Sequence, residues 1–97
     1  MNKQPAIYLI TNKPYGTIYC GVTSNLPQRI WRHKNKCVAG FSSRYNLTKL
    51  VYFEIIDDMY QAISREKQIK AGSRKSKVVL IESINPKWLD LYCEIVG

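Results

Sequence analysis

AIYLITNKPYGTIYCGVTSNLPQRIWRHK, residues 6–34, contains two short apolar runs, AIYLI (6–10) and TIYCGV (17–22), with Tyr8 in one and Tyr19 in the other. Both runs are rich in β-branched and aromatic residues and read as strands. Asn12, Pro14 and Gly16 mark TNKPYG between them as a turn. Strands joined by so short a connection form an antiparallel hairpin. A register slip of one residue would send the two phenols to opposite faces. SNLPQRIWRHKNK follows. Ser24 or Asn25 can cap a helix there, and Pro27 suits its first turn. Leu26, Ile30, His33 and Cys37 fall along one side, while Arg29 and His33 share a face at i and i+4.

Beyond this segment, VAGFSSRYNL (38–47) reads as a loop and KLVYFEI (49–55) as a third strand. Residues 58–70 read as a helix, with Asp57 or Asp58 at its start and Gly72 at its end. Ser73 can cap another helix running to about residue 84. Asn85 followed by Pro86 predicts a short last helix, PKWLDLYCEI. The order is β-β-α-β-α-α-α. An α+β fold, a three-stranded antiparallel sheet flanked by helices, is the simplest architecture that buries these faces.

The 97 residues, 45% of them hydrophobic, are expected to form one domain spanning 1–97. Lys and Arg number 15 against 7 acids, a net charge of +8, which favours a polyanionic partner such as DNA, RNA or an anionic membrane face. No apolar run reaches the ~20 residues that span a bilayer, and no signal-peptide core follows Met1, so a soluble, cytoplasmic protein is expected. Cys20, Cys37 and Cys93 are odd in number and lack CxxC spacing, which argues against a disulfide framework. His33 and Cys37 would share a helix face with Cys93 as a third soft candidate, but two ligands do not make a structural zinc site.

The apolar stripe of the 58–70 helix is Met59, Ala62, Ile63 and Ile69, and Glu66 falls inside it. Burying even a neutral polar group unpaired costs roughly 2–7 kcal/mol, so Glu66 calls for an arginine, a lysine or a metal. The alternatives are a carboxylate swung out to solvent or paired with Lys70 at i+4. Phosphodiester cleavage needs a base or aligning group for water, a role Tyr or His can fill. It needs a cation against the growing phosphoryl charge, for which the Arg fork is suited. It also needs a divalent ion, and one carboxylate with substrate oxygens and waters commonly holds Mg²⁺.

AIY at 6–8 and YCG at 19–21, followed by Arg29, His33 and then Glu66, resemble the signature set of the GIY-YIG endonuclease superfamily. Residues 62–92 are similar to the tail of its small single-domain bacterial members, whose domain is shared with the excision-repair nuclease subunit and intron-encoded endonucleases. The resemblance covers residues 5–93 and implies metal-dependent DNA cleavage using Mg²⁺ or Mn²⁺. It implies Tyr8 as general base, Tyr19 as a second phenol positioning water or substrate, and Arg29 stabilising the transition state. His33 would assist the base or bind the leaving phosphate, and Glu66 would hold the metal. Ala6 replaces the first motif's glycine and Cys20 the second motif's isoleucine. Neither change removes a functional group, and Cys20 should point opposite to Tyr19.

Lys34, Lys36, Arg44, Lys67, Lys70, Arg74, Lys75 and Lys77 form the expected DNA-binding surface. Arg74, Lys75 and Lys77 open a helix at the end where the dipole disfavours cations, a conflict that a phosphate would offset. Phosphate contacts give affinity without sequence choice, and nothing reads as a recognition helix. The leading expectation is a monomeric endonuclease acting in repair or on branched or single-stranded DNA, with an unidentified protein partner as one source of target choice. The alternatives are a non-catalytic nucleic-acid-binding module of the same fold and a protein-interaction domain.

Overall fold

The hairpin forms as its composition predicts. In the computed structural model, which describes residues 4–37 and 40–96, β1 (Ala6–Thr11) pairs antiparallel with β2 (Ile18–Thr23). β3 (Lys49–Ile55) pairs antiparallel along the other side of β1, giving the order β2-β1-β3. All residues of β1 are buried, which explains its unbroken apolar run: a central strand covered on both faces does not alternate. The turn is held by Asn12, whose Oδ1 accepts from Thr17 N at 3.0 Å, and by Tyr15 at φ 59°.

The β1–β2 register sets Tyr8 opposite Gly21 and Tyr19 opposite Ile10. Tyr8, Ile10, Tyr19 and Gly21 therefore share one face of the sheet. α1 (Leu26–Lys34) packs on that face through Leu26 and Ile30, and α5 (Tyr92–Val96) joins it through Tyr92 and Ile95. The opposite face carries Ile7, Leu9 and Cys20, covered by Ala62 and Ile69 of α3 (Met59–Ala71) and Ile81 of α4 (Arg74–Ile84). Cys20 thus points away from Tyr19, and burial raises its thiol to about 11. The three longer helices begin at side-chain caps: Asn25 accepts from Gln28 N, Asp58 from Gln61 N and Ser73 from Ser76 N.

Four local expectations are corrected. Residues 40–47 are not all loop, because a helical turn, α2, spans Phe41–Arg44; positions 38 and 39 of that expected loop lie outside the described residues. Met59 and Ile63 are not core residues. They are 37% and 39% exposed, and the inward side of α3 runs through Ala62, Glu66 and Ile69 at i, i+4 and i+7. Cys37 lies beyond the end of α1 and is exposed, so it does not share a helix face with His33.

The last helix does not open at Pro86. Asn85 ends α4, and residues 86–91 run irregularly to α5 with Trp88 at φ 56°. Tertiary demand overrides the Asn-Pro start signal. β3 bulges against β1 so that Leu9 pairs with Tyr52 and Ile10 with Leu50, leaving Val51 over. The buried Asn85 amide donates to the Val51 carbonyl at 3.0 Å and the Leu89 carbonyl at 2.8 Å, and its Oδ1 accepts from Leu89 N at 2.9 Å. Leu91 N then donates to Leu50 O at 2.7 Å, and Asp90 accepts from Leu50 N. The segment thus covers the outer edge of β3.

Candidate active site

Tyr8 projects from the middle of β1 and is 1% exposed. Its ring lies over Gly21 on the neighbouring strand. A Cβ at position 21 would sit 2.3 Å from the Tyr8 oxygen and 2.4 Å from the carbon that bears it. The glycine of the YCG triplet is therefore a space requirement of the tyrosine in the AIY triplet, a consequence of register.

α1 brings in the next two groups. His33, in the last turn of the helix, is buried with Leu26 and Ile30, and its Nε2 lies 3.0 Å from the Tyr8 hydroxyl. Burial, reinforced by the Arg29 charge, lowers His33 to about 4, so the imidazole is neutral at pH 7. Burial pushes Tyr8 up to about 12, opposed by the charge and hydrogen bond of Arg29. The i, i+4 spacing of Arg29 and His33 thus sets both against one phenol. Tyr19 stands on the same face with its ring centroid 6.2 Å from that of His33, against 5.6 Å for Tyr8.

Glu66 arrives from the other side of the sheet. α3 packs against β2 and β1, and Glu66 reaches the margin of β2, the edge strand, with a side chain 12% exposed. Its Oε2 pairs with Lys70 Nζ at 2.8 Å, and the same ammonium lies 5.6 Å from the Tyr19 ring centroid. Glu66 holds Lys70 protonated by raising it above the ordinary lysine value. Contacts therefore link Arg29 to Tyr8, Tyr8 to His33, His33 to Tyr19, Tyr19 to Lys70 and Lys70 to Glu66. Tyr8, Tyr19, Arg29 and His33 are thus grouped on one face of the sheet, and Glu66 is joined to that group through Lys70 at the edge of β2.

Among the described residues no group of three His, Cys, Asp or Glu side chains is placed to hold a metal ion. That donor set excludes a structural zinc site there. It fits a hard cation held by one carboxylate and otherwise by water and substrate oxygens, the usual arrangement for Mg²⁺.

The expected basic surface divides. Lys34 is taken up by Asp90, by the Thr48 carbonyl at 2.9 Å and by the Tyr92 ring. Arg74 donates to the carbonyls of Tyr15 and Gly16 at 2.7 and 2.8 Å, tying α4 to the hairpin turn. Lys77 donates to the Gly72 carbonyl. Lys36, Arg44, Lys67 and Lys75 are exposed. Two functions escaped sequence reasoning. The pairing of Tyr8 with Gly21 had a signal, a glycine inside a strand. The contact of Lys70 with Tyr19 had none, because it crosses from helix to sheet edge.

Two tyrosines from a hairpin, an arginine and a histidine from the next helix and a glutamate from a later one define a nuclease-type α+β domain. The model of the GIY-YIG catalytic domain matches residues 4–78, and the chain belongs to that family, a family of nucleases that are generally metal-dependent and act on DNA. Its relatives include UPF0213 proteins. One from Clostridium perfringens is 42% identical over 67 residues, covering 69% of this chain and 72% of the relative. One from Staphylococcus saprophyticus is 35% identical over 75 residues, covering 77% and 90%. The solution NMR structure of a UPF0213 protein from Bacillus halodurans shares the fold, with a TM-score of 0.50 and 23% identity over 84% of this chain and 85% of that one. Among the described residues no helix is long and apolar enough to cross a membrane.

Proposed function

We propose that the 97 residues work as one monomeric, cytoplasmic endonuclease domain that hydrolyses phosphodiester bonds in branched, single-stranded or damaged DNA, with Mg²⁺ or Mn²⁺ held at Glu66. The observation that carries this reading is the Tyr8–His33 hydrogen bond with Arg29 beside it. Tyr8 acts as the base through a relay. Its hydroxyl donates to His33 Nε2, and as that proton moves across, the phenol oxygen takes one from the attacking water. The neutral imidazole, with its proton on Nδ1, offers Nε2 as the acceptor. Tyr19 orients the water or the scissile phosphate. Arg29 offsets charge on the phosphoryl oxygens as the new bond forms. A divalent ion at Glu66 supplies Lewis-acid polarisation of the phosphate and a counter-charge for the leaving oxygen. Lys67, Lys75, Lys36 and Arg44 contact flanking phosphates, while Lys34 and Arg74 serve as internal struts.

Nicking of supercoiled plasmid and of branched oligonucleotides, with and without Mg²⁺ or Mn²⁺, tests the proposal. Metal-dependent nicking that Glu66→Ala abolishes, with DNA binding retained, supports it. Unaltered binding with no metal-dependent nicking by the wild type overturns it. The second reading, a binding module without turnover, draws on the Lys70 ammonium at Glu66, and that second outcome is the one it expects.

A further inference from the structure

Lys70 stands where the site requires a cation. Its ammonium is 2.8 Å from Glu66 Oε2 and 5.6 Å from the centre of the Tyr19 ring, while its side chain is 48% exposed and Glu66 is largely covered. A carboxylate removed from water needs a counter-charge, and Lys70 provides one from the protein itself. An i, i+4 ion pair on a helix is worth only about 0.2–0.5 kcal/mol, so a stronger cation can replace the ammonium without breaking the fold. The four-carbon stem of lysine is flexible, and an ammonium binds phosphate as a point charge.

We propose that Lys70 is an exchangeable counter-ion: it keeps Glu66 aimed at the phenols while no divalent ion is present, and on metal entry its ammonium releases the carboxylate and moves to a phosphate oxygen of the bound DNA. This rests on the nuclease reading above. In the free protein Lys70 opposes metal binding, because two cations then compete for one carboxylate. Bound DNA relieves the opposition by giving the ammonium a second anion. Metal and DNA therefore bind with positive coupling, and loading of the site is confined to the DNA complex.

Mn²⁺ titrations followed by the electron paramagnetic resonance of the free ion test this on the whole protein, alone and with a phosphorothioate-linked oligonucleotide duplex. Without DNA, Lys70→Met should bind Mn²⁺ about twofold more tightly than wild type, and Lys70→Arg, which retains the charge, should not. Glu66→Gln should lose this binding in both the wild-type and the Lys70→Met background. The duplex should tighten Mn²⁺ binding to wild type more than to Lys70→Met. In protein labelled with ¹³C-lysine, the Lys70 ε-CH₂ resonance should lose its Tyr19 ring-current shift when Mg²⁺ and duplex are added together. Equal Mn²⁺ affinity in wild type and Lys70→Met, or a Lys70 signal that does not move, overturns the exchange while leaving the nuclease reading intact. Binding that ignores Glu66→Gln in every background instead overturns the metal seat of that reading, and the exchange with it.

Discussion

The hydroxyl of Tyr8 lies 3.0 Å from Nε2 of His33, although the two are 25 positions apart in the chain. Burial pushes the phenol up to about 12 and draws the imidazole down to about 4, so at neutral pH Tyr8 keeps its proton and His33 is neutral; in the tautomer that carries its proton on Nδ1, Nε2 accepts from the Tyr8 hydroxyl. If this pair carries the relay, Tyr8→Phe and His33→Gln should each lower single-turnover nicking by roughly 10²–10⁴-fold. The double variant should be little worse than either single one, because the two residues act as a unit. Additive losses would separate them.

The same burial links folding to pH. The fold lowers His33 from 6.5 to about 4, so its contribution is complete above pH 6.5 and is lost as pH falls toward 4. The loss should be on the order of 3 kcal/mol in urea-denaturation free energy. His33 is the single histidine of the chain, so His33→Gln should flatten the curve between pH 6.5 and 4.5. A wild-type curve that is already flat there would contradict the buried neutral imidazole.

Gly21→Ala tests the register. A methyl at that position meets the Tyr8 ring at 2.3–2.9 Å, and the ring has no slack under α1. Overpacking of this kind costs about 1–3 kcal/mol. Nicking should fall with it, and the near-ultraviolet circular dichroism of the tyrosines should change. Full activity in the alanine protein would place the phenol elsewhere.

Asn85→Ala should separate stability from chemistry. That buried amide ties the covering segment to β3: its Nδ2 donates to the Val51 carbonyl of β3 and to the Leu89 carbonyl, and its Oδ1 accepts from Leu89 N. Stranding those groups costs about 1–3 kcal/mol apiece, so the thermal midpoint should fall by several degrees. DNA affinity measured below that midpoint should be unchanged.

The basic residues should divide by partner. Lys67→Ala and Lys75→Ala should each reduce the salt slope of DNA binding by about 1. Lys34→Ala should leave the slope alone and lower stability instead, because its ammonium is engaged by Asp90 and the Thr48 carbonyl. Equal slope changes for all three would show that Lys34 leaves its internal partners for phosphate.

The five candidate site residues were marked by the resemblance of their motifs to a family, whereas local signals in the chain were enough for the three strands and the capped starts of α1, α3 and α4. Those features depend on periodicity and on side chains acting within a few positions of themselves. The end of the chain was misread for the same reason: Asn85-Pro86 has the local chemistry of a helix start, but the Asn85 amide is claimed by a β-bulge 34 residues away. The outward turn of Met59 and Ile63, the stacking of Tyr8 on Gly21 and the placement of Lys70 between Glu66 and Tyr19 were likewise invisible along the chain. Each depends on how helix and sheet are rotated against one another. That rotation is chosen by the packing of both faces at once, and no window of neighbouring residues contains it.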